Sequence, residues 1–153
     1  MSEKNAVETA TEVLSMLLEL IGVEGKVNVL SHDLPVVLNV EGNDLGILIG
    51  RQGQTLASLE YITRLVVGGQ LKSWLPLNVD VAGYKGRRRE SLQRLALHLA
   101  EQVKLTNRAI SMEPMPPDER RIIHLALADH FDATTESVGE GESRKVVISP
   151  KLS

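Results

Sequence analysis

Leu48-Ile49-Gly50-Arg51-Gln52-Gly53-Gln54-Thr55-Leu56 joins an apolar run, Leu45 to Ile49, to a segment of helical spacing that begins at Gln54. Two glycines framing two polar residues let the main chain bend without Cβ collisions and bring backbone amides close to a bulky anion. Gly50, Arg51, Gln52 and Gly53 therefore present a backbone clamp suited to a sugar-phosphate strand, with no catalytic group among them. A Gly-x-x-Gly turn also serves simply to end one helix and start the next. The flanking sequence has to separate the two readings.

Downstream, Leu56, Leu59, Ile62 and Val66 recur three or four apart, which predicts an amphipathic helix closed by Gly68-Gly69. Leu77, Val79 and Val81 then alternate with Asn78 and Asp80 as a half-buried strand does. Upstream, Val7, Ala10, Leu14, Leu17 and Ile21 predict a helix stopped by Gly22. Lys26 to Leu30 and Pro35 to Val40 read as strands joined by the turn residues Ser31-His32-Asp33. The order helix, strand, strand, helix, helix, strand is that of a type II KH domain, a three-stranded sheet covered by helices, over residues 1–83. A KH loop of this kind clamps four backbone nucleotides of a single strand. A nucleotide-hydrolysing P-loop is excluded, because Gln54 stands where the lysine must be and Leu48 where the first glycine must be.

Residues 84–153 are predicted to form a second, small α/β domain, with the seam at Gly83 to Gly86. A long helix carries Leu92, Leu95, Ala96, Leu99 and Val103 on one stripe. A short strand around Ile110 to Met112 follows, then the turn Pro114 to Pro117 and a helix from Asp118. A hairpin pairs Ala133 to Val138 with Arg144 to Ser149 through Gly139 and Gly141.

Charge divides at the same seam: residues 1–83 hold 5 Lys+Arg against 10 Asp+Glu, and residues 84–153 hold 12 against 10. With a formal net charge of −3 overall, strong non-specific binding to duplex DNA is not expected, since that attraction grows with the phosphates neutralised. Arg87, Arg88 and Arg89 sit at the start of the long helix, where the dipole favours carboxylates, so an incoming phosphate would relieve them. Pairing with the protein's own acids would do the same. Arg120 and His124, four apart, share one face of the second helix, in a polar window among Ile122, Ile123, Leu125, Ala126 and Leu127. An arginine there can grip phosphate and a histidine can meet a base, although spacing alone equally describes a satisfied i,i+4 pair.

Catalysis and cofactors find no support. His124 and His130 are six apart and do not share a face, no His-Glu-x-x-His or nucleophile elbow occurs, and neither metal nor cofactor is expected. Absence of cysteine removes disulfides and thiolate-held zinc and fits a reducing compartment. Met1 to Glu12 lacks a basic start followed by an apolar core, and no run approaches membrane-spanning length, so a cytoplasmic location is expected. Tyr61, Trp74, Tyr84 and Phe131 are isolated and are expected in a core or at the seam, away from any base-stacking surface.

Over nearly its whole length the chain resembles the bacterial Jag proteins, also called KhpB or SpoIIIJ-associated proteins. In these a KH domain precedes a single-stranded nucleic-acid domain named for its Arg-x-x-x-His motif. The likeness is carried by Leu48 to Leu56, by Val79-Asp80-Val81-Ala82-Gly83-Tyr84 running into Arg87-Arg88-Arg89-Glu90, by Glu113-Pro114-Met115, by Glu119 to His124, and by Glu136 to Glu140 with Arg144 to Ile148. It implies binding of single-stranded RNA, or of single-stranded DNA, by Gly50 to Gly53 and by Arg120 with His124, without turnover. It further implies a post-transcriptional regulator tied to cell elongation and division, and a small stand-alone KH protein as partner. Many relatives carry an extra N-terminal domain and charged linker. This chain begins at the first KH helix, so roles seated in that part are not expected of it. The alternative is a protein-interaction scaffold that pairs with another KH protein and meets nucleic acid only incidentally.

Overall fold

The computed structural model describes residues 3–152. The chain divides into two compact units, Met1–Lys85 and Gly86–Ser153. The first unit runs α1 (Glu3–Ile21), β1 (Lys26–Ser31), β2 (Val36–Glu41), α2 (Gly46–Ile49), α3 (Gln54–Leu71) and β3 (Leu77–Val81). Its sheet has the order β1-β2-β3, with β2 antiparallel to β1 and parallel to β3. Parallel neighbours cannot be joined by a hairpin and need a crossover of about a dozen residues or more. Here α2 and α3 supply that crossover, and the Gly50–Gly53 bend is the corner inside it.

Val36, Leu38, Val40, Leu77, Val79 and Val81 of the sheet form one buried cluster with residues of α1 and α3. Full burial of each such side chain contributes about 1.5–3 kcal/mol. The stripes differ in phase from the predicted ones. On α1, Val13 and Leu18 are buried while Ile21 is exposed; on α3, Thr63 and Val67 are buried while Ile62 is exposed. Periodicity sets the pitch of an apolar stripe, but its centre line is chosen by the sheet it meets. Thr63 is tolerated there because its hydroxyl donates to the Leu59 carbonyl at 2.7 Å.

Gly68-Gly69 does not end α3, contrary to expectation. The helix runs on to Leu71, and Lys72 at φ 55° takes the left-handed capping position. On the sheet side of α3, its side chains seal the open edge of β3: the Val79 amide donates to Glu60 Oε2 at 2.8 Å, and Arg64 Nε donates to the Leu77 carbonyl at 2.6 Å. A β-edge closed in this way is unavailable for pairing with another strand.

The second unit contains most of α4 (Tyr84–Thr106), then β4 (Ile110–Ser111), α5 (Pro117–Ala126), β5 (Ala133–Val138) and β6 (Lys145–Pro150). Its antiparallel sheet has the order β4-β6-β5. Leu92, Ala96, Ala100 and Val103 of α4 share its core with Ile123, Val146 and Ile148, whereas Leu95 lies on the exposed flank. Around His124 the helix α5 is also less apolar in effect than its composition suggests, since Leu125 is exposed while Ile123 and Leu127 are buried.

The aromatic residues depart furthest from expectation. Tyr61 is 61% exposed, Trp74 67% and Phe131 91%; Tyr84 alone of the four packs against a core. Both cores are filled by aliphatic side chains, and the rings are left at the surface.

Candidate nucleic-acid interface

At the bend, Gly50 adopts φ 70°, ψ −170°, Gln52 φ 54° and Gly53 φ 79°. A Cβ on Gly50 would collide with the side chain of Thr55, and one on Gly53 would stand 2.7 Å from Cε1 of Tyr84. Both glycines are therefore required locally, one by its backbone conformation and the other by the tyrosine ring against it. Some of the amides close turns of the protein itself: Gly50 N donates to Gly46 O at 3.0 Å, and Gln54 N donates to Arg51 O. Gly53 is the N-cap of the 18-residue α3, which has neither a side-chain cap nor an acidic residue in its first turn. Its positive end is left uncompensated, a disposition that favours an anion. Arg51 is exposed beside it and makes no hydrogen bond or ion pair among the described residues.

The basic stretch at the start of α4 divides. Lys85 Nζ lies 2.6 Å from Glu60 Oε2, and its amide donates to Asp80 Oδ1 at 3.2 Å. Arg88 reaches Glu119 with two nitrogens, Nε to Oε2 at 3.0 Å and Nη2 to Oε1 at 3.2 Å. Such a fork is the strong form of the ion pair, and Glu119 is only 8% exposed. Arg87 and Arg89 have exposed side chains. Thus the structure groups Arg88 with an internal carboxylate and leaves its neighbours at the surface.

Arg120 and His124 share the face of α5 that looks toward β5. Arg120 Nε donates to the Met115 carbonyl at 3.1 Å, and its terminal nitrogens have no partner among the described residues. His124 is half-buried, with Nδ1 2.7 Å from Thr135 Oγ1 and Nε2 2.7 Å from Ser137 Oγ. Thr135 and Ser137 are two apart on a strand and so lie on one side of it. Sequence reading missed both hydroxyls and Glu119; the Thr-x-Ser alternation in β5 was the available signal.

Burial, then the Arg120 charge, lowers the His124 pKa from the ordinary 6.5. Its neutral form donates through one nitrogen and accepts through the other, and hydroxyls satisfy both. Because the folded value is depressed, the unfolded chain takes up the proton first as pH falls. The stability gained from neutral His124 is complete above 6.5 and drains away below it, down to the folded pKa. Urea unfolding from pH 7.5 to 5 is expected to find wild type losing stability relative to His124→Gln. Parallel pH profiles for the two proteins would refute this.

Among the described residues no cluster of three His, Cys, Asp or Glu side chains could hold a metal ion, and no helix is long and apolar enough to cross a membrane.

A three-stranded unit with Gly-x-x-Gly at the corner of its helical crossover, followed by a unit that sets Arg-x-x-x-His on a helix against a small sheet, defines a protein of the KH plus Arg-x-x-x-His class. Family models agree: residues 8–75 match the KH domain of KhpA/KhpB, and residues 90–150 match the domain named for the Arg-x-x-x-His motif. The chain belongs to the KhpB family. It is 39% identical to RNA-binding protein KhpB of Clostridium symbiosum over 97% of its own length and 66% of that protein, and 37% identical to the Bacillus subtilis protein of that name over 95% and 71%. Against the Lactiplantibacillus plantarum protein, also named RNA-binding protein KhpB, it is 30% identical over 97% of this chain and 46% of the other. The chain thus spans about two thirds of the first two relatives and under half of the third.

Proposed function

We propose that this chain binds single-stranded RNA at two places, the Gly50–Gly53 bend of a KH domain at residues 1–83 and the Arg120/His124 face of an Arg-x-x-x-His domain at residues 84–153. The observation that carries the reading is the uncapped, acid-free start of α3 opening directly off the glycine bend, with exposed Arg51 beside it. Phosphate oxygens would meet the dipole and amides there, while Gln52 adds a polar side chain next to the strand. In the second domain the terminal nitrogens of Arg120 would hold another phosphate, and His124, set in place by Thr135 and Ser137, would position it. Arg87 and Arg89 would add surface charge. Arg88 would act indirectly, anchoring the starts of α4 and α5 through Glu119. The relatives' name supports RNA as the polymer. The chain works as a binder without turnover, in the cytoplasm, as a post-transcriptional regulator connected with cell elongation and division.

Arg51→Asp with Gln52→Asp sets carboxylates against phosphate and leaves both glycines in place. Affinity for short single-stranded RNA should fall at least about tenfold, most steeply at low salt. Fluorescence anisotropy on the folded double variant measures it, with a DNA strand of the same sequence run alongside. Unchanged RNA affinity would defeat the proposal.

A second reading is favoured by one observation: Tyr61, Ile62 and Leu65 form an exposed apolar stripe on α3. Such a surface suits a protein partner, for instance a stand-alone KH protein. Crosslinking in cells followed by sequencing separates the readings, because a pure adaptor recovers no transcripts above background.

A further inference from the structure

Phe131 is the chain's single phenylalanine, and it is 91% exposed rather than in either core. Its position is held from both sides. The His130 amide donates to the Leu127 carbonyl at 3.1 Å, the Asp132 amide to His130 Nδ1 at 3.1 Å, and the Lys151 amide to the Asp132 carbonyl at 3.0 Å. Lys151 Nζ also donates to the His130 carbonyl at 3.3 Å. A ring on a backbone already pinned at both neighbours loses little freedom when something is laid on it. Beside it lies a cleft of about 240 Å³ lined by Lys104, Asn107, Asp132, Pro150 and Lys151. That is below the about 300–1,000 Å³ of an enclosing small-molecule pocket, and it suits a ligand that lays one flat ring there and keeps the rest outside.

We infer that Phe131 is a stacking platform for one base of a single-stranded RNA, with Lys104 and Lys151 taking the flanking phosphates. This rests on the RNA-binding reading above and adds a contact that neither the glycine bend nor the Arg120/His124 face supplies. An aromatic face between two ammonium groups is the pairing that single strands require, since every base has a π-face and every linkage a charge. Lys104 lies 3.4 Å from Asp132, both well exposed, an ion pair that a phosphate can displace. Asn107 adds an amide able both to donate to and accept from a base edge. Phe131 precedes Ser137, the partner of His124, by six residues, at most about 20 Å of extended chain. One strand of several nucleotides can therefore engage both.

The test uses the whole chain and a uridine-rich decamer carrying 5-iodouridine. Photocrosslinking should map to Phe131, and Phe131→Ala should weaken binding by about 5- to 150-fold. Phe131→Trp should keep the affinity, whereas Phe131→Leu, apolar but without a flat face, should lose it. Lys104→Gln and Lys151→Gln should each reduce the salt slope by about 0.7. Wild-type binding that Phe131→Ala leaves unchanged, with no crosslink at the ring, overturns the platform alone. No RNA binding by wild type overturns the platform together with the reading beneath it. The ring lies outside the core, so the melting temperature of each variant should match wild type and confirm that binding losses are local.

Discussion

Gly50→Ala is expected to destabilise the first domain by about 2–3 kcal/mol, the cost of forcing a side chain into a backbone region that only glycine visits readily. At φ 70° and ψ −170° strain arises before any contact is considered, and the new Cβ would also meet the side chain of Thr55. Relaxing the clash means moving the start of α3, which is packed through buried Leu56 and Leu59. Neither route is cheap. Urea unfolding with probes in each domain should find the first domain's transition at lower denaturant and the second domain's unmoved. Gly69→Ala is the control: nothing lies within 4 Å of its added Cβ in the last turns of α3, so it should stabilise by about 0.5–1 kcal/mol. Equal behaviour of the two variants would mean that the bend is not conformationally demanding.

Glu119→Ala should cost the second domain about 3 kcal/mol, because it leaves a mostly buried guanidinium without its counter-charge. Arg88 and Glu119 side chains are 22% and 11% exposed, and the contact is two-pronged. Arg88→Ala should cost a similar amount by stranding the carboxylate. Arg88→Lys should recover only part, since a point ammonium cannot reproduce the fork. Replacing both residues by leucine should restore most of the stability, which distinguishes a stranded charge from a lost contact. A double-mutant cycle by urea unfolding measures the coupling. If Glu119→Ala leaves the transition where it was, the pair is not a fastening, and Arg88 joins Arg87 and Arg89 as a surface charge.

Much of the fold was legible because it rests on period and punctuation. Alternation at Leu77 to Val81, the helical recurrence from Val7 and the glycines around Arg51 and Gln52 each have a local cause, so the elements lie where their residues place them. Helix phase was not legible. Leu17 or Leu18, Ile62 or Thr63, and Leu95 or Ala100 fit the same pitch, and only the facing sheet selects between them. Gly68-Gly69 misled because glycine lowers helix propensity by about 1 kcal/mol, which packing of Val67 and Leu71 against the core can outweigh.

The candidate sites divide along the same line. By itself the sequence determined that a glycine-bracketed corner joins two helices, that an arginine and a histidine share a helix face, and that positive charge gathers in the second half. Those are matters of neighbours along one chain. Tertiary structure alone decided that Arg88 belongs to Glu119, that His124 rests between Thr135 and Ser137, and that the single phenylalanine stands in solvent beside two lysines. Each of those depends on residues far apart in sequence meeting through packing, and no local pattern encodes which charge finds a partner or which ring is left outside.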